Sequence, residues 1–367
     1  MTKKKLFRLL LNISITFIVF LDSSCSGNDK YIAIRGYAQG GTYTVKLNMT
    51  GKDGRIKIKP ESIKEKIDSI LNEIDTTLSG YDKGSMLSRF NEGKKIRPND
   101  IFKDIYTVSF GYFRETGGAF DVAAAPLFDL WGFGFTTDSM PTDSAVKKIL
   151  GSTGMGRLKS SMSDAIKSDG TLEAEDMLSA EKTGNYDTGR TPELNYNAIA
   201  QGYTCDLIAK YLYGLGIKDM LIDIGEIYCD GVNPEGKPWT VGIDRPFDGN
   251  ETPGQDLDGI WQSSGTACGI VTSGNYRKFY IKNGKKYAHT IDPRSGYPVA
   301  HSLLSATIVA KSATIADAYA TYCMVIGLEQ SEKFIESKSG EVQGYLIYSE
   351  DGTMKEWTSD GFNLIGK

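Results

Sequence analysis

The chain has 367 residues, 40% hydrophobic and 24% charged, enough apolar material for one large domain or two modest ones. A formal net charge of −4 is not the basic balance of a nucleic-acid-binding protein. No internal repeat, coiled coil, Walker A or GxGxxG fingerprint occurs.

Lys3, Lys4, Lys5 and Arg8 precede an apolar run over residues 9–21 that ends at Asp22-Ser23-Ser24-Cys25. A basic n-region, a short apolar stretch and small residues before a cysteine read as a lipoprotein signal. The expectation is removal of residues 1–24, lipidation of Cys25 and a linker over 25–30, as in a bacterial lipoprotein, with a plain signal peptide or an uncleaved anchor helix as the alternative. The run is short for a membrane span.

Residues 31–47 alternate as a strand pair with Gln39-Gly40-Gly41-Thr42 as the soft point. Ile63, Ile67, Ile70, Leu71, Ile74 and Leu78 lie on one stripe of an amphipathic helix. A second helix runs over 101–116 and ends in glycine at Gly117-Gly118. Residues 126–135, PLFDLWGFGF, make either a buried corner or one wall of a pocket for a planar ligand. Residues 152–193 are polar and poorly patterned apart from a short strand near 155–158, and read as a surface excursion. A helix over 203–215 closed by Gly216, a buried strand over 220–227 and another over 239–244 follow, then a Gly, Pro and Asp-rich loop over 246–259.

Residues 271–280 read as a turn followed by a strand, and Asn283-Gly284 as a hairpin turn that delivers His289 to the end of its second strand. Asp292-Pro293-Arg294-Ser295-Gly296 makes a tight turn. After a strand over 307–310, Ser312 caps a helix over 313–325, on which Asp317 and Thr321 share a face. A carboxylate and a hydroxyl stacked in that way are either a solvated pair or oxygen ligands for a hard cation such as magnesium. A terminal hairpin turns around Asp351-Gly352. Cys205, Cys229, Cys268 and Cys323 contain no CxxC pair; they allow three disulfide connectivities or buried free thiols. Strands mixed irregularly with helices indicate an α+β fold.

Together these stretches resemble a known family. Gly41-Thr42, SGYDKGSMLSRFN from Ser79, TGGAFDVAAAPLFDLWGFG from Thr116, NAIAQGYTCD from Asn197, IDIGEIYCDG from Ile222, VGIDRP from Val241, TSGNYRKFY from Thr272, HTIDPRSGYP from His289 and ADAYAT from Ala316 stand in the order of the ApbE family of FAD:protein FMN transferases. The resemblance runs over most of residues 36–327 and leaves out 152–193 and the C-terminal tail. It implies a single ApbE-like domain over 31–367, of mixed, largely antiparallel sheets with flanking helices.

It further implies Mg²⁺-dependent cleavage of FAD, with FMN passing through a phosphoester to a Thr or Ser hydroxyl of a periplasmic or membrane-bound acceptor protein and AMP released. The metal would be held by the Ala198 main-chain carbonyl, Asp317 and Thr321. Flavin contacts would fall on Gly40 or Gly41, Tyr81, Ala119, Phe120, Asp121, Asn195, Gln201 and Ile291, and His289 would take the acceptor proton. Asn195 and Gln201 stand where the family carries Asp and Lys, which suggests an ion pair exchanged for a hydrogen-bonded amide pair. Two other functions share this machinery: hydrolysis of FAD to FMN and AMP, and flavin binding without chemistry.

Overall fold

The computed structural model describes residues 30–367 except 51–53, 55, 134–139, 180–190, 251, 277–278 and 283–284. The signal segment and Cys25 lie outside the described residues, as does the Asn283-Gly284 turn. The chain opens with a hairpin, β1 (Tyr31–Ala38) and β2 (Gly41–Asn48), whose turn takes positive φ at Gln39 and Gly40. Helices α1 (Pro60–Leu78), α2 (Met86–Asn91), α3 (Asp100–Glu115), α4 (Ala125–Leu130), α5 (Asp143–Leu150) and α6 (Ala200–Gly214) follow. Next come β3 (Met220–Asp223), β4 (Ile227–Asp230), β5 (Thr240–Asp244), β6 (Leu257–Gln262), β7 (Cys268–Gly274), β8 (Phe279–Lys282), β9 (Lys285–Ala288), β10 (Ile291–Asp292), β11 (Tyr297–Pro298) and β12 (Leu303–Ala310). The chain closes with α7 (Ala313–Ile326), α8 (Leu328–Ser337), β13 (Val342–Glu350), β14 (Thr353–Thr358) and β15 (Leu364–Gly366).

Eight strands form one antiparallel sheet in the order β1-β2-β3-β4-β7-β12-β13-β14. Side chains alternate across it, as a half-buried pleat requires. Val45, Leu47 and Ile222 pack against α1 and α6 through Ile63, Ile67, Ile208 and Leu212. Val271, Ile308 and Leu346 pack against α7 and α8 on that side. Ile270, Val309 and Ile347 point the other way, onto Trp239, Ile243 and Trp261 of the smaller β15-β6-β5 sheet and its approach. This is the α+β architecture expected of the sequence.

Two segments differ from expectation. The buried run over 220–227 is not one strand: it turns at Gly225, φ 107°, and returns as β4. Residues 152–179 are not a surface excursion, nor do 155–158 form a strand. Short 3-10 turns there bury Met155, Leu158, Met162, Leu172 and Met177 in the core of α2 and α3. Ile96 and Leu172 exchange two backbone hydrogen bonds of 2.9 and 3.0 Å, and Tyr106 donates its hydroxyl to the Lys159 carbonyl at 2.6 Å. Single apolar residues at irregular spacing bury well in successive tight turns, yet leave no 2.0 or 3.6 period to read.

Candidate active site

Helix α7 is fixed at its start by two capping groups. Ser312 Oγ accepts from the Ile315 N–H at 3.2 Å, and the Asp206 carboxylate of α6 accepts from the Ala313 and Thr314 N–H groups, each at 3.0 Å, and from the Thr314 hydroxyl. Close approach of the two helices needs Gly202: a Cβ there would lie 2.4 Å from the Ala313 carbonyl oxygen and 2.8 Å from Asp317 Cβ. That approach lets the Gly202 N–H donate to Asp317 Oδ2 at 3.0 Å. Asp317 is only 4% exposed. Burial pushes its carboxyl up to about 7, the Gly202 bond opposes this, and the Asp206 charge adds to it.

A cleft of about 350 Å³ opens beside Asp317 and Thr321. Ala198 lines it from the turn before α6, where the Ile199 and Ala200 N–H groups both bond the Tyr196 carbonyl. Ala119, Phe120, Asp121 and Val122 form another wall, reached after α3 ends at Gly117 and Gly118, both at positive φ. The Asp121 carboxylate accepts from the Ala123 N–H at 2.8 Å and the Met155 N–H at 3.0 Å, while burial raises it to about 7 against those bonds. The Asn195 N–H donates to the Val122 carbonyl at 2.7 Å, which ties the third wall to the second.

His289 and Ile291 complete the cleft from the other side. His289 meets the Phe133 ring edge to face at 6.5 Å between centroids, and the neighbouring Thr290 hydroxyl donates to buried Asn275 Oδ1 at 2.5 Å. The turn beyond is held by Asp292, which accepts from Arg294 Nε and Nη2, both at 2.9 Å, and by Gly296 at φ 80°. The stretch 126–133 divides, with 134 and 135 outside the described residues. Phe128 and Phe133 line the cleft, whereas Trp131 is buried and donates its indole N–H to the Gly296 carbonyl at 2.8 Å.

Ten of the residues singled out in the sequence thus share one cleft: Tyr81, Ala119, Phe120, Asp121, Asn195, Ala198, His289, Ile291, Asp317 and Thr321. Three do not line it. Gly40 and Gly41 sit in the β1–β2 turn, which Gln39 ties to α6 by donating to Thr204 Oγ1 at 2.8 Å. Gln201 donates to the Ile224 carbonyl at 3.0 Å and braces the β3–β4 turn, and Asn195 Oδ1 accepts from the Asn197 N–H at 2.9 Å. The two amides are therefore not a hydrogen-bonded pair: Asn195 stands in the loop before α6, and Gln201 on its first turn points at a different segment. The cleft also contains Glu226, Thr272, Ser273 and Tyr276. They fall inside motifs named above, but only the β4–β7 pairing of the sheet brings those two motifs side by side.

For a metal the donor set is of the oxygen type. Asp317 Oδ1 and Thr321 Oγ1 have no hydrogen-bond partner among the described residues, and the third candidate donor is a main-chain carbonyl. Among the described residues no group of three or more His, Cys, Asp or Glu side chains is placed to hold a metal ion.

Residues 40–346 match the model of the ApbE family. The chain is 30% identical over 352 residues to the FAD:protein FMN transferase of Haemophilus influenzae, covering 94% of each, and 32% identical over 308 residues to that of Escherichia coli K12, covering 82% of this chain and 80% of the relative. Its fold is similar to the apo form of the Pseudomonas stutzeri flavinyl transferase ApbE, with a TM-score of 0.73, 28% identity, and 91% of this chain and 96% of that one covered. With a family match across most of its length and relatives at this identity, the chain belongs to the ApbE family.

Proposed function

We propose that the chain transfers FMN from FAD to a threonine or serine hydroxyl of an acceptor protein, forming a phosphoester and releasing AMP. The observation that carries this proposal is the convergence of Asp317, Thr321 and Ala198 with His289 and an aromatic wall in one cleft. Asp317 Oδ1, the Thr321 hydroxyl and the Ala198 carbonyl are the kind of donors magnesium takes, and the first two are uncommitted to other hydrogen bonds among the described residues. Bound there, magnesium would neutralise charge on the FAD pyrophosphate and favour in-line displacement.

The protein's own groups supply the rest. Phe128, Phe133 and Tyr276 offer apolar faces to the isoalloxazine or adenine ring and keep water from the reacting phosphorus. His289 takes the proton of the acceptor hydroxyl as its oxygen attacks, a role that suits an imidazole near neutral pH. The Gly202 N–H keeps Asp317 turned toward the cleft. The basic and apolar N-terminal segment supports lipid anchoring at Cys25 on the periplasmic side, where the acceptor would be periplasmic or membrane-bound. Cys25→Ser should then move the protein from the membrane pellet to the soluble fraction.

The test is incubation of the protein with FAD, magnesium and an acceptor domain that bears an exposed threonine, followed by intact mass and nucleotide analysis. The expected result is an acceptor heavier by FMN less water, equimolar AMP, and loss of both by about a hundredfold or more in Asp317→Ala. Free FMN and AMP with an unmodified acceptor would replace transfer by hydrolysis. Intact FAD would overturn both.

A further inference from the structure

On the face of the main sheet that carries β5 and β6, the antiparallel register sets Cys229 of β4 directly opposite Cys268 of β7, with their sulfurs 3.8 Å apart. Residues directly opposed in an antiparallel pair have Cα atoms about 4.5–5.5 Å apart, inside the range of disulfides, so the two sulfurs can join after side-chain rotation and a small shift of the strands. The two thiols differ in access. Cys229 has no exposed surface, whereas Cys268 is 8% exposed and lines a second cavity, of about 330 Å³, together with Ser264, Thr266 and Lys311. Cys205 and Cys323 are buried, and among the described residues neither bonds a second thiol.

We propose that Cys229 and Cys268 are a modification site, a thiol pair that a disulfide donor converts to a cross-strand disulfide. The donor is either a small disulfide such as oxidised glutathione or a dithiol–disulfide exchange protein. The Cys268 thiolate attacks one donor sulfur through the second cavity, and the other donor sulfur leaves as a thiolate that takes up the Cys268 proton. The Cys229 thiolate then attacks Cys268 Sγ and expels the remaining donor sulfur, which takes up the Cys229 proton. Two thiols of the chain have then lost two electrons, and the donor disulfide has become two thiols. Cys268 opens the sequence because it alone of the two has exposed surface and lines the cavity; contact with Cys268, with burial, holds the Cys229 thiol above its ordinary value. The bond staples the base of the excursion that carries β5 and β6. It does not depend on the flavin chemistry proposed above.

The experiment uses the full chain, reduced and then equilibrated with oxidised glutathione under argon, quenched in acid, denatured, alkylated and digested. Cys229 and Cys268 should lose alkylation together and appear as one cross-linked peptide two hydrogens lighter, while Cys205 and Cys323 stay alkylated. The oxidised protein should melt about 5 °C higher than the reduced one. In Cys229→Ala, which leaves the attacking thiol in place, glutathione should stay attached to Cys268. Full alkylation of both cysteines in the native chain, or glutathione retained on its Cys268 without closure, would overturn the proposal.

Discussion

Two carboxylates in the cleft, Asp121 and Asp317, are both pushed to about 7 by burial, but their hydrogen bonds give them different work. Asp121 is occupied by the Ala123 and Met155 N–H groups and joins the cleft wall to the 155–178 segment. Asp317 has one oxygen bound by Gly202 and the other uncommitted among the described residues. The Asp121 shift has a consequence for stability. Its ordinary value is 3.8, so between about 4 and about 7 the native state holds a proton that the unfolded chain has released. Stability contributed by this group is therefore lost as pH rises through that window. Asp121→Asn, which cannot ionise, should cost less stability at pH 7.5 than at pH 5, as read from urea midpoints of both proteins at both pH values. An equal cost at the two pH values would mean that the carboxyl titrates normally.

At the scale of elements, α7 carries the site and its seat is the contact with α6. Gly202→Ala would drive a methyl into the Ala313 backbone and the side chain of Asp317, and neither is the far end of a flexible group. The expected cost is about 1–3 kcal/mol of stability, with a fall of about tenfold or more in FMN transfer measured at a temperature where the variant is fully folded. A variant that melts lower yet transfers at the full rate would show that the α6–α7 spacing does not set the position of Asp317.

Much at this scale was legible in advance. The stripe of α1 and the Ser312 cap of α7 are plain in the sequence, whereas the Asn99 cap of α3, accepting from the Phe102 N–H at 2.9 Å, was not read there. The turn at Asp351-Gly352 is where its residue types put it, with both at positive φ. The β3–β4 turn was missed although its residue types stand in MLIDIGEI: Asp223 accepts from the Gly225 N–H at 3.1 Å, and Gly225 takes the positive φ of the reversal. Pairing Asn195 with Gln201 failed for a different reason. Six positions apart, they lie on either side of a helix start, and proximity in sequence does not give direction in space.

For the molecule as a whole, the correction at 152–178 changes what the chain needs in order to fold. Leu172 is fully buried against the α2 and α3 core, and the segment supplies Met155, Met162 and Met177 to the same cluster. Leu172→Ala should cost about 2–5 kcal/mol by equilibrium denaturation, as for a core leucine. A cost under about 0.5 kcal/mol, the scale of a surface substitution, would return the segment to the periphery. Polar composition concealed this role because the buried residues are few and each is separated by exposed turns.

The cleft itself is assembled across long separations, from Tyr81 in one part of the chain to Met324 in another, around a sheet in which β2 pairs with β3 far downstream. No half of the sequence contains both the aromatic wall and the Asp317–Thr321 face. On the function proposed above, a chain still emerging during synthesis has an incomplete cleft until Asp317, Thr321 and Val325 have been made. Closure of the cleft reports that Tyr81 and Val325, from distant parts of the chain, have met.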